Sequence, residues 1–171
     1  MQGIPLNERK RLGALLDDRP QTEVMAMIPQ FSQAETDNFV APPAKIPEAL
    51  GVLMFNMERG VNLPEIQEFL RDCPDIQPFD VILANELDDG CARSGNKNTA
   101  RELAQAFGLN YAWGLEFIEL VNDENAKGFH GNAVFSRWPI RRAGVIRLPE
   151  QYNWYFDRQK RIGGRLAVFA E

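Results

Sequence analysis

Soft-metal donors are scarce in this sequence: its 171 residues include two cysteines, Cys73 and Cys91, without CxxC spacing, and a single histidine, His130. A zinc-type cluster is excluded, so any bound metal has to be held by oxygen. Long apolar runs are missing as well. No stretch approaches the roughly 18 apolar residues of a membrane span, and the first twenty residues lack the apolar core of a secretory signal, which makes a cytoplasmic address the expectation. Positive charge is in deficit, with 19 Lys and Arg against 24 Asp and Glu, a net charge of −5. That balance disfavours a general nucleic-acid binder, because phosphate affinity rests largely on Lys and Arg neutralising the backbone. The deficit is uneven: eight basic residues fall between Arg137 and Arg165, against Glu150 and Asp157 alone. That stretch either faces an anionic substrate or is a solvated basic face balancing acidic neighbours.

What is present suits one globular core, with 44% apolar and 25% charged residues. Residues 1–48 are poorly periodic, with a short amphipathic stretch from Glu8 to Leu16 and a proline-rich run, APPAKIPEA, that opposes helix and ladder alike. They are expected to be an arm or linker, and the folded domain is expected over 49–171. ALGVLMFN is a continuous apolar run, as in a strand buried on both faces. Asn62 can cap a helix with Pro64 in its first turn, and Leu63, Ile66, Phe69, Leu70 and Cys73 fall on one helical face. FDVILAN predicts a second buried strand ending at Glu86. Ala100, Leu103, Ala104 and Phe107 mark a second helix, which Gly108 is placed to terminate. YAWGLEFIEL, NAVFSRW, GVIRL and RLAVFA predict further strands, with a Trp- and Tyr-rich loop over 151–156. The order predicts two parallel strands joined by a helical crossover, followed by antiparallel pairing.

Two neighbouring strands ending in an amide and a carboxylate, LMFNMER and VILANE, can present Asn56 and Glu86 side by side at one sheet edge. Magnesium suits such a site, because one or two carboxylates with water and a substrate phosphate suffice to hold it. The alternative is that both are strand-end polar residues meeting solvent. Trp113, Trp138 and Trp154 either pack in the core or offer a stacking surface.

The succession VLMFNMERG, DVILANE, HGNAVFSRWPI and RIGGRLAVFA, over about residues 49 to 171, resembles the endonuclease/exonuclease/phosphatase (deoxyribonuclease-I-like) superfamily. The loop ARSGNKNTARELA is similar to one in uncharacterised bacterial members. Asn85 stands where the family usually has glutamine. The resemblance implies an α+β fold: the first half of a four-layer α/β/β/α two-sheet sandwich, with a mixed sheet flanked by helices. It implies a metal-dependent hydrolase of phosphate esters, phosphodiesterase or nuclease-like, using Mg²⁺ with Mn²⁺ as a substitute. Carried over by position, Asn56 would bond the active-site network or the substrate phosphate, and Glu86 would ligate the metal. Glu58 falls where some apurinic-endonuclease-like members place a second acidic residue near the metal, or it pairs with Arg59. Glu116 resembles a family glutamate that orients a histidine, or is a half-buried strand carboxylate. As the only histidine, His130 is a candidate catalytic residue, although the family's phosphate-contacting histidines lie on later segments. It either lines the substrate crevice with Asn132 or caps a strand. Arg165 either binds the phosphate through its planar fork or is a sheet-edge charge. Gly163 and Gly164 suggest a bulge or a close backbone approach.

The family's aspartate base in G-D-x-N and its closing S-D-H do not occur in these residues. The expectation is a chain that stops before the site is complete, inactive by itself, with no residues left for a second sheet and an exposed apolar face prone to self-association. Two alternatives stand beside the hydrolase: a non-catalytic binding domain that keeps the first-half scaffold, and an unrelated α/β domain. Nucleases, inositol phosphatases and sphingomyelinases all fall within the resemblance, so the substrate class stays open.

Overall fold

A computed structural model describes residues 1–150, 152–156 and 158–171. Gln151, in the expected aromatic loop, and Asp157, in the basic stretch, lie outside the described residues. The chain is α+β. Its elements are α1 (Leu6–Ala14), α2 (Gln21–Ala26), β1 (Ala34–Asp37), β2 (Val52–Arg59), α3 (Leu63–Asp72), β3 (Val81–Asp89), α4 (Thr99–Phe107), β4 (Asn110–Glu119), β5 (Phe129–Ser136), β6 (Ala143–Arg147), β7 (Arg161–Gly163) and β8 (Leu166–Ala170).

The two apolar runs expected to be parallel neighbours are so: β2 pairs with β3 in parallel, Val52 opposite Val81 and Asn56 opposite Asn85, with α3 between them in sequence. The remaining strand pairs are antiparallel, giving a mixed sheet in the order β1-β4-β5-β3-β2, with β7 on the β1 side of β4. The helix ends follow local chemistry. Asn98 caps α4 by accepting the Arg101 N–H at 2.9 Å, and Gly108, at φ 60°, ends it in the left-handed conformation that costs glycine least. Asn62 precedes α3 with Pro64 in its first turn, but its side chain makes no cap bond.

One face of the sheet packs on α3 and α4. Phe55, Ile82, Ala84, Ala133 and Phe135 point that way; Phe69 of α3 stacks on Phe55, and Tyr111 stacks on Phe135. Full burial of side chains of this size contributes about 1.5–3 kcal/mol each. The opposite face is covered only in part. There β6 and β8 pair as a second, two-stranded sheet and lie over β4, where a Cβ on Gly114 would meet Val145 at 3.0 Å and Val168 at 3.1 Å. The expectation that no residues remain for a second sheet therefore does not hold, because GVIRL and RLAVFA find each other. Beyond this hairpin the same face of β2 and β3 is open: Val52 and Leu83 are exposed, and Met54 is 74% exposed. β2 is thus not buried on both faces as its apolar run predicts. It is the edge strand, and no described strand pairs with its outer edge.

Residues 1–37 are not the loose arm the sequence suggests. Leu12, Leu16, Val24, Ile28 and Phe31 join the same core, β1 pairs with β4, and the buried Arg9 donates to the Asn125 carbonyl at 2.7 Å. Of the first 51 residues, the longest stretch without helix or strand is 38–51. No helix among the described residues is long and apolar enough to cross a membrane.

Candidate functional site

Both parallel strands break their regular pairing at the same level. On β3 the register against β5 slips between Ala84 and Leu87, so Asn85 and Glu86 stand opposite the single residue Asn132. Ala84 and Leu87, three apart, both stay in the core, which turns Asn85 and Glu86 to the open face with Asn132. On β2 the register slips between Asn56 and Arg59. Five described non-glycine residues have positive φ, and three of them are here: Glu58 at 47°, Arg59 at 67° and Glu86 at 59°. Each such residue is strained by about 1–3 kcal/mol, and conformations of that kind cluster where function requires them.

Side-chain amides hold both distortions in place. Asn132 Oδ1 accepts the Glu86 N–H at 3.1 Å, and Asn56 Oδ1 accepts the Glu58 N–H at 2.8 Å. Each amide thereby has its oxygen engaged and its NH₂ without a protein partner among the described residues. Glu58 forms no ion pair with Arg59 among those residues. Arg59 instead has a buried Nε with no acceptor. β3 does not end at Glu86 as the apolar run predicts: it continues to Asp89, and β2 to Arg59, so Asn56 and Glu86 lie at register shifts within their strands. These shifts carry two carboxylates, two amides with free NH₂ groups and, at Arg59, an unsatisfied guanidinium nitrogen.

One step further along the same face, Asp88 of β3 lies opposite His130 of β5, with His130 Nδ1 2.8 Å from Asp88 Oδ1. Burial alone would raise the Asp88 carboxyl. The hydrogen bonds from Arg93 (2.7 and 2.8 Å) and from His130 outweigh it and hold the group below the usual carboxylate range. An ionised Asp88 can only accept, so His130 Nδ1 carries a proton and donates to it. His130 is 3% exposed and its ring stacks on Phe117, the centroids being 6.2 Å apart. Asp88 and Arg93 were not singled out in the sequence. The available signal was the acid two positions after Glu86, which alternation puts on the same face.

Glu116 is fully buried as the extra residue of a second bulge, between Leu115 and Phe117. Its carboxylate accepts from Arg165 Nη1 at 2.9 Å and meets no histidine; the carboxylate that orients His130 is Asp88. Arg165 also lies over the rings of Trp154 and Phe117, at 5.0 and 5.6 Å. The close approach expected at the glycine pair occurs at Gly163, whose φ is 136° and where a Cβ would sit 2.1 Å from the Glu116 carbonyl oxygen; Gly164 has open space. Much of the basic stretch is engaged internally: Arg161 pairs with Glu119, Arg142 with Glu171 and Arg137 with Asp80.

Two groups therefore stand out of the predicted set. Asn56, Glu58, Glu86 and Asn132 come together at the register shifts of β2 and β3, with His130 two residues before Asn132 on β5. Glu116 and Arg165 pair with each other beside Phe117 and Trp154. Among the described residues no group of three or more His, Cys, Asp or Glu side chains could hold a metal ion. An all-protein cage is thus absent from those residues. The hard oxygens of Glu86 and Glu58 fit a hydrated Mg²⁺, which takes one or two carboxylates and completes its shell with water and phosphate. The unsatisfied Arg59 Nε beside them fits an anion bound at the same place. No family model, curated protein or solved structure matches the chain.

Proposed function

We propose that the chain carries the metal- and phosphate-binding part of a phosphate-ester hydrolase, a phosphodiesterase or nuclease-like enzyme. The observation that carries this reading is the paired distortion at Asn56–Arg59 and Asn85–Glu86, which sets two glutamates and two amides at neighbouring points of two parallel strands against backbone preference. The resemblance to the endonuclease/exonuclease/phosphatase superfamily supports it, since Asn56 and Glu86 stand where that family has its asparagine and metal-binding glutamate. On this reading β6 and β8 begin the second sheet of a four-layer sandwich.

Glu86, with Glu58 beside it, would hold Mg²⁺ or Mn²⁺, which supplies charge neutralisation on a phosphoryl oxygen. The NH₂ groups of Asn56 and Asn132, their oxygens already engaged, would donate to phosphate oxygens. Arg59 Nε would gain the acceptor it lacks. His130, two residues before Asn132 and held through Nδ1 by Asp88, would offer its Nε2 to the substrate on the same face.

The test is Mg²⁺-dependent hydrolysis of bis-p-nitrophenyl phosphate by the 171-residue chain and by the longest product of its reading frame, with Glu86→Gln as the control. Turnover in the longer product, reduced at least about 100-fold by Glu86→Gln, supports the proposal. Absence of turnover in both defeats it. One observation favours a second reading, a non-catalytic binding domain: the single imidazole is buried against Phe117 and tied to Asp88, as a structural histidine would be.

A further inference from the structure

Between the N-terminal segment and the small sheet lies a cleft of about 360 Å³, walled chiefly by Met25, Ala26, Ile28, Pro29, Phe31 and Leu148. It contains none of Asn56, Glu58, Glu86, Asn132 or His130. Its volume and apolar walls are those of a small-molecule site.

Two polar side chains in the cleft lack the partners their chemistry calls for. Gln21 is 2% exposed; its Nε2 donates to Glu150 Oε1 at 3.2 Å, while its Oε1 is buried without any donor. A buried acceptor left unsatisfied is unfavourable and calls for a donor. Arg147 is surrounded by backbone carbonyls: Phe31 O receives Nε at 2.9 Å and Nη2 at 2.6 Å, Gly164 O receives Nη1 at 3.0 Å, and Leu115 O receives Nη2. Among the described residues no carboxylate pairs with it, and of its five N–H groups one on Nη1 remains. Burial lowers this guanidinium to about 10, so it is still charged at neutral pH. Arg165 lines the same cleft, bound to Glu116 through Nη1 only.

We propose that this cleft binds a small amphipathic acid, with an apolar chain along the apolar walls, a hydroxyl or amide N–H donating to Gln21 Oε1, and an acidic group at Arg147 and Arg165. Each part of the ligand answers one feature: the walls exclude water from the chain, Gln21 needs a donor, and Arg147 has no directly paired carboxylate among the described residues, the nearby Glu116 carboxylate being bonded to Arg165.

The test is isothermal titration of the 171-residue chain with 3-hydroxydecanoate, decanoate and 1,3-decanediol, each below its micelle concentration. The expected result is one-to-one binding of 3-hydroxydecanoate, with decanoate about fivefold weaker for loss of the donor and the diol about tenfold weaker for loss of the charge. Gln21→Leu should narrow the hydroxydecanoate-to-decanoate ratio to below about twofold. Ala26→Trp, at an exposed wall position, should abolish binding of all three while leaving the circular dichroism spectrum and unfolding midpoint of the chain unchanged. Equal affinities for the three probes, binding that survives Ala26→Trp, or no binding by the wild-type chain would each overturn the proposal.

Discussion

The side-chain oxygen of Asn132 accepts the backbone N–H of Glu86 at 3.1 Å across the point where two β3 residues face one on β5. The contact ties a carboxylate residue of β3 to the middle of β5, so the direction of Glu86 is set by a residue 46 positions away. Asn132→Ala removes that tie. Loss of the bond should cost about 1 kcal/mol of stability, measured by urea unfolding, and should weaken Mn²⁺ binding at Glu86. Unchanged Mn²⁺ affinity in a folded Asn132→Ala chain would separate Asn132 from the site.

Glu86 sits at φ 59°, a conformation that suits glycine. Glu86→Gly should therefore raise the unfolding free energy by about 1 kcal/mol while removing the carboxylate the proposed metal needs. A more stable chain with no metal affinity would identify the strain as one maintained for function. A less stable Glu86→Gly chain would mean that the side chain is there for the fold.

The depressed Asp88 carboxyl gives a pH dependence of known sign. Its contribution is fully present above the unfolded value of about 3.9 and is lost as pH falls through the lower folded value. Unfolding midpoints taken from pH 6 downward should fall more steeply below pH about 4 in the wild type than in Asp88→Asn. Parallel curves would show that the Arg93 and His130 contacts do not favour the charged form.

Gly131, in the HGNAVF segment, has no room for a side chain: a Cβ would lie 2.0 Å from the Gly114 carbonyl oxygen and 2.7 Å from the Trp113 ring. Backbone and a buried indole cannot yield as a surface side chain could. Gly131→Ala should cost at least about 3 kcal/mol or prevent folding, read by circular dichroism and urea unfolding. A loss below about 1 kcal/mol would mean that β4 and β5 can separate at this point.

The sequence was most legible where local pattern and tertiary role agree. The runs at 52–59, 81–89, 110–119 and 129–136 are strands because apolar residues dominate them, and α3 and α4 follow their 3.6-residue spacing. β1 (AETD) and β7 (RIG) were not legible, being short and polar and formed only because the edge of β4 needs partners. α2 is six residues long, and its place in the core comes from long-range packing of Val24, which no local period announces. In the candidate site, the apolar runs predict strands that end at Asn56 and Glu86, whereas β2 continues to Arg59 and β3 to Asp89; the positive φ of Glu58, Arg59 and Glu86 arises from register shifts between strands, which no local pattern marks. Asp88 went unnoticed because its importance depends on His130, 42 residues later, and Arg93 converging on it.

The proposed function stands or falls on whether Glu86, at the register shift of β3, anchors a divalent metal. Electron paramagnetic resonance of Mn²⁺ titrated into the 171-residue chain, compared with Glu86→Gln, decides it. One Mn²⁺ is expected to bind per chain, displaced by excess Mg²⁺ and weakened at least about tenfold by Glu86→Gln. No bound Mn²⁺, or binding indifferent to Glu86→Gln, would contradict it.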